Sequence, residues 1–149
     1  MPSLKQSPAA EISLVYVIGR LNHGIRKEMR RDLAEWRLSV PEFTALSILK
    51  RRPGLSNAQL ARRTMVTPQS MIEILAGLES RQLVQRTVDP NHGRILRSDL
   101  TAEGERVVVA ALRKIDEIQE QLLDGVPDDQ RELVLNVMLH AMQHLQSVQ

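Results

Sequence analysis

Thr67, Pro68, Gln69, Ser70, Ile72 and Glu73 form one short stretch. Its hydroxyl, amide and carboxylate groups are of the kind that reads base-pair edges. Ser56 lies shortly before it, and Arg86, Arg94 and Arg97 follow in a segment of alternating polar and apolar residues. Arginines there suit phosphate oxygens or a narrow minor groove. Catalysis finds no comparable footing. His23, His92, His140 and His144 are the four histidines. His140 and His144 are spaced to share a helix face as metal ligands do, but no third ligand stands at a useful distance. Phosphate loop, dinucleotide fingerprint and serine-nucleophile elbow are all missing. Cysteine is absent, which excludes disulfides, thiolate catalysis, Cys-ligated zinc and thiol-based sensing. We therefore expect no enzyme, no bound metal and no cofactor.

These residues need elements to hold them. Ser56 and Thr67 are each placed to cap a helix, Pro68 is preset for a first turn, and only Thr64 to Val66 separate the two helices. Leu60, Ala61, Val66, Met71, Leu75 and Leu78 form one apolar set that closes only if the helices cross steeply, which is helix-turn-helix geometry. The polar group at the start of the second helix then faces away from that set. Leu83 to Val88 and Arg94 to Leu100 alternate as strands around the turn signal Asp89-Pro90-Asn91-His92-Gly93. A hairpin behind a helix-turn-helix is a wing.

The flanks read as helix. One amphipathic helix runs from about Ala10 to Trp36, and another opens near Val40 with Pro41 in its first turn and stops at Pro53-Gly54. Thr101 caps a long helix to about Leu123. Gly125-Val126-Pro127 breaks it, and a last helix reaches about Val148. That helix is apolar nearly all round, more than one face of a small domain can bury, and Val134, Met138, Ala141, Leu145 and Val148 follow the spacing of a seam. Self-association into a homodimer is the expected outlet. The expected fold is mainly α with a small β-hairpin wing, in a single domain 1–149. Within it 37–100 is the winged helix-turn-helix lobe, and 10–36 with 101–148 is a helical dimerisation region.

Composition narrows the partner. A length of 149 residues supports a core without staples. The net charge of +2 conceals segregation: residues 1–100 hold 16 Lys and Arg against 9 Asp and Glu, and residues 101–149 hold 4 against 9. A basic first part points to an anionic partner, with nucleic acid the natural candidate. The apolar run Leu14 to Ile18 is too short to span a bilayer and lacks the flanks of a leader, so a cytoplasmic protein without a membrane partner is expected.

The segments Leu55-Ser56-Asn57-Ala58-Gln59-Leu60-Ala61, Val66-Thr67-Pro68-Gln69-Ser70, Leu78-Glu79 with Leu83-Val84-Gln85-Arg86, Asp89-Pro90, and Leu100-Thr101-Ala102-Glu103-Gly104 carry a resemblance. In wording and spacing the chain resembles the MarR family over about residues 12 to 147. The resemblance implies a triangular homodimer whose fourth helices enter successive major grooves of double-stranded DNA, reading a pseudo-palindromic operator with half-sites roughly 34 Å apart. It assigns Thr67, Gln69, Ser70 and Ile72 to recognition-helix contacts and Arg94 to the wing tip.

Three departures stand out. His92 replaces an aspartate that usually braces the wing-tip arginine, which leaves a looser tip. Glu73 stands where a basic or small polar residue is common, and Gln82 replaces a glycine after the recognition helix, leaving a strained helix end. The resemblance also implies a cleft between the two lobes that admits phenolic or lipophilic anions. Tyr16, Arg20, His23 and Trp36 come from elements able to line it. The expected function is a transcriptional repressor released by such a ligand; the competing reading is a ligand-independent architectural DNA-binding or protein-interaction module.

Overall fold

The computed structural model describes residues 12–147. The expected helix limits at Ala10 and Val148 lie outside them. Within the described residues α1 spans Leu14–Leu33, opened by Ser13, whose Oγ accepts the Tyr16 N–H at 3.1 Å. The α-helix ends at Leu33 rather than Trp36, and Ala34–Trp36 tighten into a 3-10 turn. Arg37 then adopts φ 53°, and Leu38 N–H returns to the Leu33 carbonyl at 3.2 Å. This is the Schellman closure that satisfies late carbonyls.

Helix α2, Val40–Arg51, opens with a capping box: Ser39 Oγ accepts from Glu42 N, and Glu42 Oε2 accepts from Ser39 N at 2.7 Å. Two free amides are satisfied reciprocally. Ser56 and Gln59 repeat the device for α3, Asn57–Thr64. Thr64 belongs to that helix and not to the turn, because its hydroxyl donates to the Leu60 carbonyl at 2.8 Å and left-handed Met65 makes the stop. Thr67 caps α4, Pro68–Ser80, with Pro68 in the first turn.

The wing is more than a hairpin. Strand β1, Leu55–Ser56, joins β2, Val84–Asp89, and β3, His92–Leu100, in an antiparallel sheet of order β1-β3-β2. Leu55 and Ser56 pair with Ser98 and Arg97, so the wing is fastened to the residue that caps α3. Strand β3 begins inside the stretch expected to be turn, and a bulge at Val88/Asp89 accommodates the tight reversal.

One core binds these elements. Leu33, Phe43, Leu46, Leu49, Leu60, Met71, Leu75, Leu78 and Val84 are buried with Val107, Val108 and Ala111 of α5, Ala102–Leu122. Helix α4 thus buries Met71, Leu75 and Leu78 while its other face stays out. Its end is a second Schellman closure, with Gln82 at φ 58°, Gln82 N–H on Glu79 O at 2.9 Å and Leu83 N–H on Leu78 O at 3.0 Å. Helix α5 starts directly against that closure. Thr101 donates its backbone N–H to Leu83 O at 3.1 Å and its hydroxyl to Gln82 O at 2.6 Å. Gly104 approaches so closely that a Cβ there would lie 1.9 Å from the Leu83 carbonyl oxygen.

The chain divides within α5 into two compact units, between Ile115 and Asp116. In the second, left-handed Gly125 turns the chain into α6, Asp128–Ser147. Arg131 fastens this turn by donating to the Val126 and Leu123 carbonyls and to Glu120 Oε2. Leu133, Val134, Leu135, Val137, Met138, Leu139, Met142 and Leu145 of α6 are exposed, as in the first unit are Leu14, Val15, Tyr16, Val17, Ile18 and Leu21 of α1. No helix among the described residues is long and apolar enough to cross a membrane.

Candidate nucleic-acid interface

The first turn of α4 presents its polar groups outward: Thr67, Pro68, Gln69, Ser70 and Glu73 are exposed, as is Ile72 at 46%. The Thr67 hydroxyl is fully occupied, accepting from Ser70 N at 3.1 Å and donating to Ser70 Oγ at 2.9 Å. That leaves the Ser70 hydroxyl hydrogen and the Gln69 amide to reach outward. The N-terminal end of a helix also carries partial positive charge, which favours an anion in front of it. Asn57 Nδ2 donates to the Pro68 carbonyl at 3.0 Å and so ties the start of α3 to the start of α4.

Beside α4 lies a groove of about 510 Å³, lined by Ser56, Asn57, Ala58, Ile72, Leu75, Arg86 and the β3 residues Arg94, Ile95, Leu96 and Ser98. It brings Ser56 and Ile72 together with two of the three wing arginines. Asn57 and Ser98 were not singled out by sequence, yet Asn57 Oδ1 and the Oγ of Ser98, a residue 1% exposed, are buried here without a partner among the described residues. Ser98 gave no signal beyond its place in an alternating strand.

The three arginines divide sharply. Arg94 is exposed at the tip with no ion pair among the described residues. Arg86 Nε donates to Glu79 Oε2 at 2.9 Å, and its Nη2 reaches the same oxygen, which fastens β2 to the end of α4. The Arg86 guanidinium holds the Glu79 carboxyl below its usual range. Arg97 pairs with Asp89 through Nε at 2.7 Å and Nη2 at 2.6 Å. The sequence reading gave all three the same outward role; the structure turns two of them inward because acids on neighbouring elements lie within reach. The wing turn is braced instead by Asp89 and Arg97, while Arg94, two residues after His92, gains no such partner among the described residues. Asp89 accepts the Asn91 N–H at 2.8 Å as well as Arg97, and these bonds keep its carboxyl below the ordinary value.

The other sequence candidates are not gathered into one cavity. Tyr16, Arg20 and His23 fall on one exposed face of α1, with Tyr16 58% exposed. Trp36, half-buried, instead lines a depression of about 280 Å³ with Arg37, Arg81 and Arg106. His140 and His144 stack with ring centroids 6.3 Å apart. No group of three or more metal-ligating side chains occurs among the described residues.

A capped helix pair whose second member turns its polar start outward, flanked by a three-stranded wing, defines a winged helix-turn-helix protein. The MarR family model matches residues 38–96. An HTH-type transcriptional repressor of Mycobacterium tuberculosis is 38% identical over 103 residues, covering 69% of this chain and 74% of that one. The chain belongs to the MarR family of transcriptional regulators. A solved Mycobacterium tuberculosis MarR family protein in complex with salicylic acid is 32% identical, with a TM-score of 0.68 over 87% of this chain and 96% of that one. The transcriptional repressor CouR bound to a 23-mer DNA duplex shares the fold, at TM-score 0.81 and 20% identity over 91% and 96% of the two chains.

Proposed function

We propose that the chain is a sequence-specific double-stranded DNA-binding repressor that works as a homodimer. The observation that carries this is the outward polar first turn of α4 lying beside a groove whose rim holds Arg94, which has no ion pair among the described residues. Gln69, Ser70 and Glu73 read base edges in the major groove, Ile72 makes apolar contact, and Arg94 takes a phosphate or the minor groove. Thr67, Pro68 and Ser56 set the helix starts that aim them. The exposed apolar residues of α1 and α6 call for a second copy, because so much apolar surface is not left in water by a stable monomer. Two copies then present two α4 helices to a pseudo-palindrome. The lobe 37–100 reads DNA, and 10–36 with 101–148 builds the dimer.

The effector is a small lipophilic or phenolic anion, a reading supported by the salicylic acid complex of the mycobacterial relative. Tyr16, Arg20 and His23 share one face of α1, and they and Trp36 line its site once the partner copy adds the remaining walls. Such a ligand changes DNA affinity only through unequal affinity for the two arrangements of the dimer. The protein is a cytoplasmic regulator and not an enzyme.

Fluorescence anisotropy against the DNA upstream of its own gene tests the reading. Affinity falls steeply as salt rises, with a log–log slope that decreases by about 1 in Arg94→Ala. A flat salt response refutes phosphate contacts. Repeating the titration with a panel of aromatic acids separates an effector-responsive repressor from a ligand-independent DNA binder.

A further inference from the structure

We propose that Arg97 is a positioning residue, which sets the wing on the helix-turn-helix through Asp89 and Gln59 and so aims Arg94. The proposal rests on reading α4 and the wing as the DNA-binding face. A guanidinium has five N–H donors in a fixed fork. In Arg97, Nε and Nη2 are spent on Asp89 Oδ2, and Nη1 points to Gln59 Oε1 at 3.1 Å and to the Gly54 carbonyl at 3.4 Å. One N–H remains, too few for the two-pronged grip on a phosphate that makes an arginine a strong DNA contact.

Its partners explain the arrangement. Asp89 has a side chain only 6% exposed, sits at the bulge where the wing turns, and also holds the tip through Asn91 N–H. Gln59 Oε1 is the same atom that closes the capping box of α3 by accepting Ser56 N–H at 3.0 Å. Ser56 pairs in turn with Arg97 across β1 and β3. A single run of charge-assisted bonds therefore joins the wing turn to the first turn of α3. Arg94 stands between Asp89 and Arg97 in the chain, so its direction depends on this closure.

The charge of Asp89 makes the test one of sign. Asp89→Asn removes a negative charge from a face that meets phosphate, so electrostatics alone tightens DNA binding. Loss of positioning weakens it instead. We expect Asp89→Asn and Arg97→Met each to weaken duplex binding about tenfold, a loss of about 1.4 kcal/mol, and Arg97→Met to add little in an Arg94→Ala background. Arg97→Lys keeps the charge but cannot serve Asp89 and Gln59 together, and should behave like Arg97→Met. It decides the matter should Asp89→Asn melt below the assay temperature.

Unchanged or tighter binding by Asp89→Asn overturns the proposal. So do an Arg97→Lys variant that binds like wild type, and losses that multiply in Arg94→Ala/Arg97→Met with a further fall of about 0.9 in salt slope. Amide exchange on the free dimer keeps the two readings apart. If the wild-type chain binds no duplex, the DNA reading fails, while faster exchange across residues 86–97 in both single variants still supports the positioning role and unchanged exchange refutes it.

Discussion

Replacing Gly104 by alanine tests the closest approach in the fold. The added Cβ would meet Leu83 O at 1.9 Å, Leu83 C at 2.9 Å and Leu83 Cα at 3.3 Å. A carbon and a carbonyl oxygen in contact lie about 3.3 Å apart, so α5 must retreat by about 1.4 Å. No side chain can rotate away, since the obstacle is backbone. Retreat breaks the Thr101 N–H bond to Leu83 O, worth about 1 kcal/mol, and loosens Val107, Val108 and Ala111 in the core, an overpacking cost of about 1–3 kcal/mol. Replacing a helical glycine returns about 0.5–1 kcal/mol, which leaves a net loss of about 1–3.5 kcal/mol. For a chain of this length the melting temperature falls by about 2–14 °C.

Thermal melts at one fixed protein concentration measure it, since a dimer's midpoint moves with concentration. Gly77→Ala is the control. It is the same exchange inside α4, where the nearest atom is Glu42 Oε1 at an ordinary 3.8 Å. It should raise the midpoint by about 2 °C. A Gly104→Ala protein that melts with wild type refutes the reasoning.

Other expectations follow from the helix ends and the wing. Gln82→Gly relieves the left-handed strain at φ 58° and should stabilise the fold by about 0.5–1 kcal/mol in urea unfolding. Asp89 titrates in the fold below its ordinary 3.8, held first by the Asn91 N–H and then by Arg97. A lowered carboxyl contributes stability above its unfolded value that is lost as pH falls through the folded one, so below about pH 4 the wild type's melting temperature should drop faster than that of Asp89→Asn. Gln69→Ala and Ser70→Ala should change preference among duplex sequences, while Arg94→Ala weakens all of them alike in mobility-shift titrations.

Much of the reading face was legible because it is local. Ser56 and Thr67 announce helix starts, and the apolar spacing of Met71, Leu75 and Leu78 fixes which side of α4 faces out. The rest depends on partners distant in sequence. A two-residue strand such as Leu55–Ser56 has no period, and its pairing with Arg97 and Ser98 exists only once the wing folds back. Arg86, Arg94 and Arg97 look alike as letters; whether each is free depends on Glu79, Asp89 and an irregularity that shifts the strand register between Val88 and Asp89. The Ser39–Glu42 capping box is also local, a three-residue spacing that opens α2. Gln82 stands where the family resemblance puts a glycine, and the left-handed end expected there is present at φ 58°.

The abutment of Gly104 on Leu83 has a mechanical meaning. Leu83 is the residue on which the reading helix finishes, and the first turn of α5 rests on its main chain with no compressible side chain between them. Such a joint transmits displacement without slack. In the proposed dimer, a bound effector that tilted the start of α5 would carry the reading helix with it as one solid piece, and operator release would then be governed by how far apart two rigid heads stand and not by bending within either.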